Sequence, residues 1–418
     1  MLGVDRSYRA WLLASLAFLL AACGSVRPTA PPDAMECGLQ RFVVADMFSE
    51  WGVYRSKQLQ TLGLDAPRPS FNVLALSAGG QFGAYGAGFL TGWGSVGPTA
   101  KPSPRKDIQV VTGVSTGAIL ATHAFLEMDE EIEARYRASS GPSIYKKRNV
   151  LALLTANSLL DDSGKERLIA DNLSSALIDR VAAAPDGRFL YLGVVDLDSG
   201  RFLRIDMVKL ARTVQPIEAR DRCYRAVVGA SSAIPIAFPP KFVDDMMLTD
   251  GGARRHLFVT DPPAEAKKPG VDRRLFSLVH GDLDVGCQKV ENGVIPIASR
   301  SADLFSDQSF KDSIRLGDLL AQSPVAPGQK EPLFRTFYAS AARAAKQCEP
   351  KLAQCAEASG TLSEDLFCQP FMICLADQGR ADGKAYGQGV QPWLTLADLN
   401  LSSETDCSRS IVQRRAGQ

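Results

Sequence analysis

Histidine is scarce in this chain: His123, His256 and His280 are the only three among 418 residues. They are scattered, with no HExxH motif and no close Cys/His cluster, so the sequence carries no metal-site signature. An excess of one charge is also lacking. Lys and Arg number 47 against 46 Asp and Glu, a formal net charge of +1, which gives no reason to expect nucleic acid as a partner. There is no GxGxxG fingerprint, no Gly-Lys-Ser/Thr ending of a phosphate loop, and no later acidic residue placed to read a ribose. These absences weigh against a nucleotide site, and no cofactor is expected. Long hydrophobic runs are missing too, since the N-terminal apolar run from Trp11 to Leu20 is short for a membrane-spanning helix.

That run has recognisable flanks. Arg6 and Arg9 precede it and Leu20-Ala21-Ala22-Cys23 closes it, an order that resembles a bacterial lipoprotein signal, with residues 1–22 removed and lipid attached to Cys23. An uncleaved anchor and ordinary signal-peptidase cleavage are the alternatives. Gly24 is not the aspartate associated with inner-membrane retention in enteric bacteria. Attachment to the outer membrane is therefore expected, in a periplasm-facing position. Residues 23–69 read as a tether, Pro-rich from Arg27 to Pro32, followed by a helical lead-in, with Pro67 and Pro69 marking entry to the main body.

With Cys23 assigned to lipid, eight cysteines remain: Cys37, Cys223, Cys287, Cys348, Cys355, Cys368, Cys374 and Cys407. An even count in an exported protein favours disulfides over buried thiols. Cys348 and Cys355 are spaced to share a helix face without bonding to each other, whereas Cys368 and Cys374 could close a short loop. Spacing alone does not derive the pairings.

Two glycine-rich turns carry the chemical signal. Phe71 to Leu76 is an apolar run of strand character followed by Ser77-Ala78-Gly79-Gly80-Gln81-Phe82-Gly83, and Tyr85 to Trp93 is helical. Ile108 to Thr112 is a second such run, followed by Gly113-Val114-Ser115-Thr116-Gly117 and a helical stretch from Ala118 to Glu127. A serine on a sharp strand-to-helix turn needs small neighbours, which Gly113 and Gly117 supply, so Ser115 is the candidate nucleophile. The competing reading is that these glycines only let a helix pack close to a sheet. Amides around Gly79, Gly80 and Gln81, at a helix N-terminus, are placed to hold an oxyanion.

Activation of Ser115 requires a base. His123 lies two turns into the helix that Ser115 opens, a packing position. Asp250, at the end of Met246-Met247-Leu248-Thr249 and before Gly251-Gly252, can be presented from a strand end into a cleft and act as general base without an imidazole. A plain surface turn is the bland alternative. His280 follows the strand-like Leu275 to Val279, and Ser115, Asp250 and His280 occur in the chain order of an α/β-hydrolase triad, so a three-residue mechanism stays open.

SAGGQFGAYGAGFL at 77–90, GVSTG at 113–117 and TDGGA at 249–253, in this order, with GASSAIP at 229–235 before the aspartate, resemble the patatin-like phospholipases. The resemblance covers roughly residues 70–285. It implies an α/β fold, a three-layer sandwich with a largely parallel central sheet, and a Ser115–Asp250 dyad with an oxyanion hole around Gly79 and Gly80. The implied activity is cleavage of ester-linked fatty acids from phospholipid or a related lipid through an acyl-enzyme. Two positions depart from the family pattern: Ala78 stands where a third glycine is usual, and Phe82 where an arginine or lysine is usual. A lipid acyltransferase and a noncatalytic, lipid-anchored envelope scaffold are the other classes in play. Protein partners are not indicated by the sequence.

The organisation expected is a leader at 1–22, a tether at 23–69, a catalytic domain at 70–340 and a cysteine-rich extension at 341–418. Within it, Glu166 to Leu177 is helix-like and Arg188 to Asp196 strand-like, and Arg300 to Leu320 and Pro332 to Cys348 look helical. Lys146-Lys147-Arg148 is a basic turn, either solvated or touching anionic head groups.

Overall fold

Nine strands form the central sheet. The computed structural model describes residues 35–44, 69–149, 156–281, 283, 286–287, 289–326, 328–359 and 365–401. The leader, Cys23, most of the 23–69 tether and Cys407 lie outside the described residues.

The strands are β1 (Val43–Val44), β2 (Ser70–Leu76), β3 (Val110–Val114), β4 (Lys146–Lys147), β5 (Leu160–Asp161), β6 (Phe189–Asp196), β7 (Phe202–Asp206), β8 (Lys241–Val243), β9 (Met246–Asp250), β10 (Asp272–Val279) and β11 (Arg335–Ser340). The main order is β1-β7-β6-β3-β2-β10-β11, with β9 paired to β6 and β8 to β9, while β4 and β5 form a separate ribbon. From β6 to β11 every neighbour in that order is parallel. The β1–β7, β7–β6, β6–β9 and β9–β8 pairings are antiparallel. The fold is thus α/β, with a mostly parallel sheet flanked by helices. The middle strands read as near-continuous apolar runs because both of their faces are covered: all five residues of β3 and six of the seven in β2 are buried.

The helices are α1 (Gly83–Gly94), α2 (Thr116–Phe125), α3 (Asp129–Ala138), α4 (Gly141–Ile144), α5 (Ser163–Asn172), α6 (Ser175–Ala182), α7 (Met207–Thr213), α8 (Ile217–Ser231), α9 (Val294–Gln322), α10 (Ala342–Ser359) and α11 (Gln369–Gln388). Two stretches differ from the sequence expectation. The helical stretch at 166–177 is broken at Ser174, whose side chain accepts the Leu177 amide as the N-cap of α6. The stretch at 332–348 is not one helix: Arg335–Ser340 adds a parallel edge strand to β10, and α10 begins only at Ala342. Sheet pairing, a tertiary contact, overrides local propensity there.

The C-terminal helices share the main core. Helix α11 lies against α1 at a separation that leaves no room for side chains at the crossing, since a Cβ on Gly88 would stand 2.1 Å from the Ala376 carbonyl oxygen and one on Gly383 2.0 Å from that of Phe89. Two disulfides tie this segment to α10, Cys348–Cys374 and Cys355–Cys368, and Cys37–Cys223 ties the chain before β1 to α8. Cys287 is also disulfide-bonded. The short Cys368–Cys374 loop is therefore not formed. Cys348 and Cys355, about two turns apart on α10, each bond across to one cysteine of the returning segment, which the antiparallel course of α10 and α11 places in reach.

Candidate active site

Strand β6 brings the two candidate catalytic residues together. Along one edge it pairs with β3 up to Val114 opposite Gly193, and directly beyond it pairs with β9, Asp250 opposite Val194. Strand β7 occupies the other edge from Tyr191 to Val195, so β3 and β9 share an edge and meet head to head. The chain leaves β3 at Ser115 where β9 delivers Asp250. The Ser115 hydroxyl stands close enough to the Asp250 carboxylate to favour its charged form, and the two residues are 5% and 3% exposed.

Ser115 adopts φ 55° and ψ −121°, a conformation that non-glycine residues rarely hold and that turns the hydroxyl off the strand at the head of α2. Gly113 and Gly117 permit this turn by close approach: a Cβ at Gly117 would sit 2.3 Å from the Leu76 carbonyl oxygen, and one at Gly113 2.4 Å from that of Gly117. A residue given no role from the sequence completes the support. Ser231 Oγ accepts the Ser115 amide at 3.1 Å and donates to the Gly193 carbonyl at 2.6 Å. Its only sequence signal was membership of the GASSAIP block, whose Ala233 carbonyl also accepts from the Asp250 amide at 3.0 Å and the Thr249 hydroxyl at 2.7 Å.

Burial penalises the charged form of Asp250 and raises its pKa from 3.8 to about 6, although the Ser115 hydroxyl, the Gly252 amide and the Lys165 charge pull the other way. The Gly252 amide donates to Oδ1 at 2.7 Å and fixes the carboxylate. Lys165, also unassigned from the sequence, is buried, donates to the Gly229 and Ser232 carbonyls at 3.3 Å and pairs with Asp162 at 3.3 Å. A carboxylate with a pKa near 6 is ionised at neutral pH and still basic enough to take a hydroxyl proton in the course of attack.

The second glycine turn lies alongside. Gly79 has φ 148° and Gly80 φ 55°, and a Cβ on Gly79 would fall 1.4 Å from the His280 carbonyl oxygen, so no other residue fits there. Gly80 lines the same cavity as Ser115. Among the described residues, the amides of Gly79 and Gly80 donate to no protein acceptor, which leaves them available to a developing oxyanion. The Gln81 side chain serves elsewhere, accepting the Cys368 amide at 3.0 Å.

His280 does not join Ser115 and Asp250. It is fully buried beneath the glycine turn, its Nδ1 lies 2.8 Å from the Ser77 carbonyl oxygen, and its amide donates to Ser77 Oγ at 2.7 Å. Burial lowers its pKa to about 4. The triad reading is therefore replaced by a structural role in shaping the glycine turn. His123 packs within α2, 3% exposed, and His256 packs against Phe310 in a tilted arrangement with ring centroids 4.9 Å apart. Among the described residues no cluster of three or more His, Cys, Asp or Glu is arranged to hold a metal.

From Ser115 a cavity of about 80 Å³ runs between α2, α3, α5 and α8. Its walls are apolar, with Ile119, Ile132, Ile144, Leu168, Ile169, Val228 and Phe238, and residues near the C-terminus, Phe367 and Met372, close one side. A nucleophile at the head of an apolar cavity suits an ester with a hydrocarbon acyl group.

A search of curated proteins returned no match. Solved structures similar to this chain include VipD from Legionella pneumophila, 13% identical, covering 75% of this chain and 67% of its own with a TM-score of 0.29. Full-length ExoU of the Pseudomonas aeruginosa type III secretion system, solved in complex with SpcU, gives 14% identity, 76% and 71% coverage and a TM-score of 0.26. Residues 74–262, a span that holds the glycine turn, Ser115 and Asp250, match the family model for patatin-like phospholipase.

Proposed function

We propose that this chain is a serine acyl hydrolase that releases fatty acid from phospholipid or a related lipid ester. The observation that carries the reading is the strand register that sets Ser115, held on its turn, beside the buried Asp250, with Ser115 lining an apolar cavity. The match to the patatin-like phospholipase family supports lipid ester hydrolysis at the level of reaction class.

In the proposed sequence Asp250 accepts the Ser115 hydroxyl proton as Oγ attacks the ester carbonyl. The amides of Gly79 and Gly80 stabilise the tetrahedral oxyanion. Collapse breaks the ester C–O bond and expels the alcohol, which takes up the proton held by Asp250. Water, deprotonated in turn by Asp250, then attacks the acyl-enzyme, the Ser115 C–O bond breaks, and the free acid and the serine hydroxyl are restored. No step needs a cofactor. Cys23 as a lipid attachment site, and with it an outer-membrane, periplasm-facing location, belong to the same proposal and rest on residues 20–23 of the sequence.

Fatty-acid release from mixed phospholipid and neutral-ester micelles tests the reading, with Ser115→Ala and Asp250→Asn in parallel. Release by the wild type and its loss by on the order of a thousandfold or more in both variants is expected. Equal activity in wild type and variants would overturn the dyad. Acyl transfer to an added alcohol without hydrolysis would mark an acyltransferase, and a folded wild type inert in both assays would leave the scaffold reading.

A further inference from the structure

Three large apolar side chains stand open to solvent around the wall of this cavity: Leu159 is 50% exposed, Ile236 71% and Leu366 40%. Each precedes in sequence a residue of one apolar cluster, which holds Leu160 and Phe238, with Ala237 and Phe367 packed on it. Phe238, Phe367, Ile144 and Ile234 of that cluster line the cavity itself. The loops are joined, because the Leu159 amide donates to the Ile236 carbonyl at 2.8 Å and the Leu160 amide to that of Ala237 at 3.0 Å. One side of the cluster therefore forms cavity wall while its margin presents leucine and isoleucine to water.

Ile236 is the least expected of the three. Its φ is +71°, a region that β-branched residues avoid at a cost on the order of 1–3 kcal/mol and that glycine or asparagine would occupy with less strain. An isoleucine held there and left in solvent gains nothing from packing within this chain.

Basic residues adjoin the same margin. Lys146 and Lys147 are exposed on β4, in register with Asp161 and Leu160 of β5, and the Arg148 amide donates to the Leu159 carbonyl at 3.1 Å. Three cations thus face one carboxylate in the ribbon, Asp161, which lies 3.9 Å from Arg148.

We infer that Leu159, Ile236 and Leu366, with Lys146 and Lys147, form a surface that docks this protein onto an anionic lipid bilayer beside the mouth of the cavity. Apolar side chains entering the boundary between head groups and acyl chains, flanked by lysines at head-group level, are the combination such a surface recognises. Docking in this orientation would let a membrane ester reach Ser115 without crossing water, a consequence that rests on the hydrolase reading; the binding itself does not.

The test uses the chain from residue 23 onward carrying Cys23→Ser, so that neither the apolar run at Trp11 to Leu20 nor a lipid anchors it. Binding is measured by flotation with vesicles of phosphatidylcholine alone and of phosphatidylcholine with phosphatidylglycerol, and hydrolysis of soluble p-nitrophenyl butyrate is followed alongside. Lys146→Ala with Lys147→Ala should weaken binding to anionic vesicles by on the order of thirtyfold at low salt, with little effect at high salt. Ile236→Asn with Leu159→Ser should weaken binding to both vesicle types by about tenfold. Both double variants should hydrolyse the soluble ester at the wild-type rate. Ile236→Trp should be quenched by brominated lipid, whereas Ile217→Trp, at the start of α8, should not.

Unchanged flotation of both double variants, or no quenching at position 236, overturns the proposal. So does a surface that captures soluble protein but no vesicle. Patch-dependent flotation by a protein that hydrolyses neither soluble nor vesicle ester would refute the hydrolase reading and leave the docking surface standing.

Discussion

Replacing Asp250 by asparagine should abolish hydrolysis and, at alkaline pH, make the folded protein more stable. Burial lifts the Asp250 pKa from 3.8 to about 6, so the folded state holds this proton more tightly than the unfolded chain does. Its contribution to stability is then complete below pH 3.8 and is lost as pH rises through about 6. At about 1.4 kcal/mol per unit, ionised Asp250 costs the fold about 3 kcal/mol at pH 8 relative to strong acid. Asparagine has no charge to bury, and its oxygen can still accept the Gly252 amide that now lies 2.7 Å from Oδ1.

A weakened Ser115 contact offsets about 1 kcal/mol of this gain. The net expectation is stabilisation by about 2 kcal/mol near pH 8 and a slight loss near pH 4. Urea unfolding of both proteins across this range, with disulfides intact, measures it, and fatty-acid release is followed on the same samples. A variant destabilised by the same amount at every pH would refute the reasoning, because the carboxylate would then be held by its partners rather than penalised by burial.

The rate of ester hydrolysis should rise with pH through a limb near about 6, the value of Asp250. His280→Ala should leave that limb in place while lowering stability by about 2–4 kcal/mol, whereas its disappearance in that variant would restore the triad. Cys355→Ser with Cys368→Ser should cost about 3 kcal/mol of stability. It should also raise KM more for long-chain than for butyryl esters, since Phe367 and Met372 wall the cavity and the Cys368 amide holds Gln81; an unchanged chain-length preference would argue against that coupling.

Much of the site was legible in the chain because its constraints are local. A serine between Gly113 and Gly117 behind an apolar run states a strand-to-helix turn almost by itself, and the run before Gly79 states another. Asp250 could be nominated from the strand end that presents it, and the apolar character of β2, β3, β6 and β10 announced a covered sheet. Other features were hidden because they arise between distant segments. Nothing near Arg335 signals that it pairs with β10, nothing near Ser231 that it holds the Ser115 amide, and nothing near Lys165 that its charge acts on Asp250. The cysteine pairing depended on the antiparallel course of α10 and α11, which no spacing specifies.

By itself, then, the sequence determined the chemistry on offer: a serine on a glycine turn, a carboxylate at a strand end, three scattered histidines, and an apolar N-terminal run followed by Cys23. Only the tertiary structure decided which of these meet. Strand β6 offers one edge to β3 and β9 in succession, and that edge turns two separate strand ends into one Ser115–Asp250 pair. The same packing places His280 beneath the glycine turn, with its ring nitrogen on the Ser77 carbonyl and its own carbonyl in the space a Cβ at Gly79 would need. It also carries residues 365–372 to the wall of the cavity. Local composition sets what each segment can do, whereas burial, and with it the basicity of Asp250, exists only once the segments have packed.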